Sequence, residues 1–329
     1  MPFYVFNLVW PIQNTIWVGN AYLYSAGWKF AACTVIPVCR TSRLNWSATD
    51  GNIGICKAAS FCGAEMTATG VLICGHGGRE AGTVREFMAL SRDVAARLPQ
   101  FRIETGFLEF STPAIPDGLE KLRQAGCRSI LVIPGTLFSG GHASRDIPAI
   151  IQNFSGQAPD VQIRYGRAFD ADANLADAAC ARVLDAINAA AGSAGLSETG
   201  LLVAGRGASD SSVLASMETA VRMIQERLKI PHVRIAYAGL AAPAVPEALG
   251  PMAALGCKQV VILPYFLFSG MLVTRIYDQT NIVAAQHPGI RFIKAGYLNN
   301  HPGVIKAFVA QILETQKTGT VQHGRSAGV

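Results

Sequence analysis

Apolar residues between positions 70 and 315 follow two alternating patterns. Short runs such as Val71-Leu-Ile-Cys74 and Ile130-Leu-Val-Ile133 are apolar throughout, as in strands buried on both faces. Between such runs, Val84, Phe87, Met88, Ser91, Val94, Ala95 and Leu98 fall on one face at helical spacing. The pattern predicts strands near 71–75, 102–108, 130–133 and 161–165. A second helix is expected to begin near Pro116, a residue accepted in a first turn, and to stop at Gly126. A third is expected over 144–154.

The same order of elements then recurs. Residues 70–166 align without gaps with 200–296 at a constant offset of 130. Gly70-Val-Leu-Ile-Cys-Gly-His-Gly matches Gly200-Leu-Leu-Val-Ala-Gly-Arg-Gly, and Pro113-Ala-Ile-Pro116 matches Pro243-Ala-Val-Pro246. Gly126-Cys127 matches Gly256-Cys257, and Leu137-Phe-Ser-Gly140 matches Leu267-Phe-Ser-Gly270. In the second copy Leu214, Met217, Val221, Ile224 and Leu228 make the first helical stripe. One fold used twice is implied, in a unit too long for a solenoid. With right-handed crossovers this gives an α/β protein of two tandem domains, each a four-stranded parallel sheet flanked by helices. The expected boundaries are 66–190 for the first repeat, 191–199 for a linker, 200–315 for the second repeat and 316–329 for a flexible tail.

Residues 1–65 do not fit this scheme. They hold all four tryptophans and carry no charge before Lys29. Asn7, Pro11, Gln13, Asn14, Thr15 and Asn20 break up the apolar stretch, which argues against a membrane span of about 20 apolar residues. A signal peptide would need basic residues ahead of its apolar segment. The segment is expected to be a poorly structured extension; upstream sequence translated ahead of a start at Met66 is one origin for it.

Composition narrows the classes of function. Charged residues are 15% of the 329, hydrophobic residues 50%, and glycine is plentiful at 33, which excludes a disordered or coiled-coil chain. The net charge of +6 comes without a basic run, so nucleic acid is not expected as a partner; a small anion suits it better. Eight cysteines without a Cys-x-x-Cys pair indicate neither a zinc ribbon nor a disulfide framework, and reduced thiols point to the cytoplasm. Cys74, Cys127 and Cys257 read as core thiols.

Ligands of open α/β sheets bind beyond the carboxyl ends of strands, where strand order reverses. His76 follows the first strand in Gly75-His-Gly-Gly78, Glu109 ends the second, and His142 follows the third in Phe138-Ser-Gly-Gly-His142. With strand order 2-1-3-4 the two histidines face each other. Two imidazoles and a carboxylate can hold Co²⁺, Fe²⁺, Ni²⁺ or Zn²⁺. A phosphate-cradling turn is the other reading of the glycine loop, although it lacks the P-loop Lys-Ser/Thr. His232, His287, His301 and His323 lie in connections, a helix start and the tail, and are not expected to be catalytic. No Gly-x-Ser-x-Gly elbow supports a hydrolase.

Residues 70–166 resemble the sirohydrochlorin cobaltochelatase family, the class II tetrapyrrole chelatases. The matching pieces are Leu72-Ile-Cys-Gly-His-Gly-Gly-Arg79, Gly106-Phe-Leu-Glu-Phe110, Pro113-Ala-Ile-Pro116, Leu137-Phe-Ser-Gly-Gly-His142 and Asp146-Ile-Pro148. The resemblance implies a bilobal fold with its active site in the cleft between lobes. It further implies ATP-independent insertion of a divalent metal, Co²⁺ or else Fe²⁺ or Ni²⁺, into the polycarboxylate sirohydrochlorin, with no permanently bound cofactor. By position His76 and His142 match the metal-handling histidines and Glu109 the acidic catalytic residue. Arg79, Arg145 and Arg206 are candidate clamps for substrate carboxylates. The second half has Arg206, Gly239 and Leu272 where the first has His76, Glu109 and His142, so a single active centre is expected. Two fused lobes favour a monomer, with no membrane partner. Ferrochelation for sirohaem and a non-catalytic tetrapyrrole or metal carrier are the competing readings.

Overall fold

The computed structural model describes residues 5–12, 15–24, 27–37, 69–239, 241–299, 301–318 and 320–322. They belong to two compact units, Met1–Cys62 and Gly63–Val329. In the first unit β1 (Val5–Ile12), β2 (Thr15–Tyr24) and β3 (Gly27–Pro37) form an antiparallel meander in that order. Over these residues the expectation of a poorly structured extension is corrected. The stretch is rich in Val, Ile, Trp, Tyr and Phe, the residues that fit a pleated surface. Residues 38–65 lie outside the described residues. No helix among the described residues is long and apolar enough to cross a membrane.

The second unit holds the repeat. Its first half runs β4 (Thr69–Gly75), α1 (Ala81–Arg97), β5 (Arg102–Phe107), α2 (Ile115–Gln124) and β6 (Ser129–Pro134), then a π-helical turn, His142–Asp146, α3 (Ile147–Gln157), β7 (Gln162–Tyr165) and α4 (Ala173–Ala189). Its second half runs β8 (Thr199–Gly205), α5 (Ser211–Leu228), β9 (His232–Tyr237), α6 (Val245–Ala253), β10 (Gln259–Pro264), α7 (Met271–Gln286), β11 (Arg291–Lys294) and α8 (Pro302–Thr318), and ends in β12 (Thr320–Gln322). The parallel strands lie in the order β5-β4-β6-β7 and β9-β8-β10-β11, the expected 2-1-3-4 in each half.

Two features depart from the expected pattern. The first sheet has a fifth strand: β12 pairs antiparallel with β7, Val321 opposite Arg164, so the tail is not wholly free. Residues 323–329 lie outside the described residues. In addition, the third helix is preceded by the π-helical turn rather than beginning near 144.

Strand alternation divides each interior in two. Val71, Ile73, Leu131 and Ile133 of the first sheet join Leu201, Val203, Val261 and Leu263 of the second in one shared core. Their neighbours Leu72, Cys74, Ile130 and Val132 point the other way, under α2 and α3. The shared core is closed by an exchange of helices. After leaving β7, α4 packs on β10 and β11 of the second sheet, while α8 leaves β11 and packs on β6 and β7 of the first. Phe308 of α8 sits edge-on to Phe169, in the segment between β7 and α4, with centroids 4.7 Å apart. Cys74, Cys127, Cys180 and Cys257 are buried free thiols, and burial drives the Cys74 thiol far above its usual pKa.

Candidate metal centre at the strand ends

The loop after β4 and the segment after β5 are laced together by backbone. Leu108 N–H donates to Gly75 O at 2.9 Å, and Glu109 N–H donates to His76 O at 3.0 Å. Gly77 makes this possible. Its φ is +89°, and a Cβ there would lie 1.8 Å from Glu109 O, so only glycine lets the two segments approach so closely. Beyond it, the Ser111 hydroxyl donates to Gly78 O at 3.0 Å and accepts from Gly78 N–H at 3.1 Å.

This lacing sets His76 beside Glu109. His76 Nε2 lies 3.2 Å from Glu109 Oε1, with both side chains partly open to solvent. A partly exposed pair contributes little to stability, so its close geometry is of more interest for chemistry than for folding. The imidazole and carboxylate together offer a nitrogen ligand, an anionic oxygen and a proton acceptor. The structure thus brings together two of the three residues picked out in sequence. The backbone places the third, His142, at the first residue of the π-helical turn after β6, the neighbour of β4; its side chain lies outside the described residues. Such turns are frequent at functional sites. Tyr165 Oη donates to Ala143 O at 2.7 Å and fixes the turn on the sheet.

The candidate clamps lie around this pair or on the other lobe. The Arg79 guanidinium sits over the Phe110 ring, 5.1 Å from its centroid. Arg145 is exposed in the π-helical turn and folds over Gly141, where a Cβ would meet Nη2 at 2.7 Å. Arg206 is exposed at the end of β8, the repeat position of His76. Gly239, at the Glu109 position, is exposed, and Leu272, at the His142 position, packs against the outer core of the second lobe.

Residues not picked out in sequence complete the surroundings. Asp170 accepts from Ser139 N–H at 3.1 Å and Ser139 Oγ at 2.8 Å, steadying the loop that leads to His142. Glu86 of α1 reaches the second lobe: it accepts from Ser269 N–H at 2.7 Å and from Tyr297 Oη at 2.6 Å. Thr83 Oγ1 donates to Ser269 O at 3.0 Å, and Phe87 meets Phe268 with centroids 5.5 Å apart. The loop after β10 therefore closes on the helix that follows the His76 loop. In sequence Glu86 looks like any polar helix position; only a patterned partner in the other repeat could have marked it, and the counterpart is Ser216.

The CbiX family model matches residues 70–186 and again 200–315. A sirohydrochlorin cobaltochelatase of Priestia megaterium is 32% identical over 70% of this chain and 75% of its own. A sirohydrochlorin ferrochelatase of the same organism is 28% identical over 64% of this chain and 76% of its own. Among solved structures, SirB from Bacillus subtilis with Fe³⁺ superposes with a TM-score of 0.67 at 26% identity, over 76% of this chain and 96% of its own. With two matching repeats, the strand order and the paired His76 and Glu109 in one frame, the chain belongs to the CbiX family of sirohydrochlorin chelatases.

Proposed function

We propose that the chain inserts Co²⁺ into sirohydrochlorin for corrinoid synthesis, without ATP and without a resident cofactor, in the cytoplasm. The metal is a substrate in this reading. The observation that carries it is the His76–Glu109 pair, 3.2 Å apart at the carboxyl ends of adjacent strands. Insertion exchanges one divalent ion for two pyrrole N–H protons. Neutral imidazole can hold the ion or accept a proton, and Glu109 can balance charge or pass protons to water. Two histidines and a carboxylate leave positions on the ion free for the incoming macrocycle nitrogens, whereas a closed four-ligand cage would retain the ion. Arg79, Arg145 and Arg206 are the proposed partners of substrate carboxylates, which guanidinium pairs with in a planar fork.

Insertion of Fe²⁺ is the second reading, supported by the similarity to a ferrochelatase. Imidazole and carboxylate ligands discriminate the two ions weakly. Metallation of sirohydrochlorin followed by absorbance, with Co²⁺ and Fe²⁺ side by side, tests both. Faster turnover with Co²⁺ supports the proposal and faster turnover with Fe²⁺ supports the alternative. Binding without acceleration by either ion would make the chain a carrier.

A further inference from the structure

We propose that Phe110 and Arg79 form the platform on which the flat face of the tetrapyrrole rests beside the metal pair; this rests on the sirohydrochlorin reading above. Phe110 is 56% exposed, unusual for a ring so close to a candidate centre. Its φ is +60°, in the left-handed region that a bulky residue rarely occupies. Both neighbours are pinned. Glu109 is tied to His76 through its N–H, and Ser111 is tied to Gly78 through two hydrogen bonds. The surrounding structure thus holds the left-handed residue and turns its ring outward, as strained residues at binding sites are held.

The ring's setting suits a flat, anionic ligand. It lies nearly parallel to the His76 imidazole, at 27° with centroids 6.5 Å apart. The Arg79 guanidinium 5.1 Å over the ring is held by cation–π attraction, and a guanidinium in that position keeps its N–H edge available for a carboxylate. An aromatic ring and a carboxylate fork side by side match the two features of sirohydrochlorin, an extended π-system with acidic side chains. The repeat makes the same point in sequence. The counterparts of Phe110 and Arg79 are Leu240 and Ser209, so the pair is missing from the half that also lacks the histidines and the glutamate.

Phe110→Gly removes the ring while suiting a φ of +60°, so loss of folding is not expected to obscure the result. Metal-free sirohydrochlorin is titrated into the full-length wild type and variants by tetrapyrrole fluorescence, and KM and kcat are measured with Co²⁺. Phe110→Gly should weaken binding and raise KM about tenfold, the loss typical for an aromatic stacking partner, with kcat changing far less. Phe110→Trp should restore affinity, and Arg79→Gln should weaken binding while leaving Co²⁺ binding intact. If wild type and Phe110→Gly bind sirohydrochlorin equally tightly, the platform is overturned and the functional reading stands. If the wild type binds no sirohydrochlorin, that reading falls and the platform with it.

Discussion

Gly77 carries more of the centre than its size suggests. Any side chain there would strike Glu109 O and would also have to adopt a φ of +89°. Gly77→Ala should therefore push the segment after β5 away from His76. The expected result is a folded protein with weakened Co²⁺ affinity and little turnover; calorimetric metal titration beside a thermal melt checks it. Glu109→Gln tests the partner. The amide preserves shape but loses the charge and the basic oxygen, so insertion should slow by about 10²–10⁴-fold while tetrapyrrole binding is kept. Unchanged turnover at saturating metal and sirohydrochlorin would remove Glu109 from the mechanism. The places of His76 and Glu109 after strands were legible from the strand pattern. Their support was not. The Ser111–Gly78 bonds and the outward Phe110 ring depend on backbone angles, which no spacing of residues reports.

Strands and their order were the most readable elements, because runs such as Ile130–Ile133 are short, apolar and bounded by turn residues. Helices were read only in part: a periodic stripe shows that a helix has a buried face but not which sheet will cover it. So α4 and α8 could be anticipated as helices at most, and their exchange was invisible. The cap of α8 yields a pH prediction. His301 Nδ1 accepts from Gly303 N–H at 3.1 Å, just ahead of Pro302 at the first helical position. Burial, with the Arg182 charge nearby, holds this imidazole below its usual pKa, so the folded state favours the neutral capping form. As pH falls through the ordinary imidazole range the unfolded chain binds the proton first, and stability is lost until the folded-state pKa is passed. His301→Asn keeps a capping oxygen without the titration. Denaturant midpoints at about pH 7.5 and 5.5, either side of the usual imidazole value, should fall less for the variant than for wild type. Glu86 gives a second test at this level. Burial and the Glu86 carboxylate raise the Tyr297 phenol to about 12, so it remains a donor at neutral pH. Glu86→Ala leaves two partly buried donors without their acceptor, which costs less than the roughly 1–3 kcal/mol each of fully buried donors. Its melt should fall more than that of Glu86→Gln, which retains an acceptor oxygen.

At the scale of the whole molecule, the two repeats share a fold, but the second has Arg206, Gly239 and Leu272 in place of His76, Glu109 and His142, so equivalent substitutions should have unequal effects. His142→Ala should nearly abolish turnover. Leu272→Ala should act through packing alone, costing less than the roughly 2–5 kcal/mol of a fully buried leucine because Leu272 is only partly buried. Turnover per folded molecule, with a melt as control, makes the comparison; normal folding and wild-type turnover for His142→Ala would overturn the single-centre assignment. The duplication was legible because the repeat aligns without a gap. The edge strand β12 was not, since three residues cannot carry a periodic signal of their own. The helix exchange also limits how the two lobes can move. Each lobe is roofed by a helix that the other supplies, so swinging the lobes apart would strip α4 from one sheet and α8 from the other and open the shared core to water. Hinged opening between the lobes is therefore coupled to exposure of the core they share.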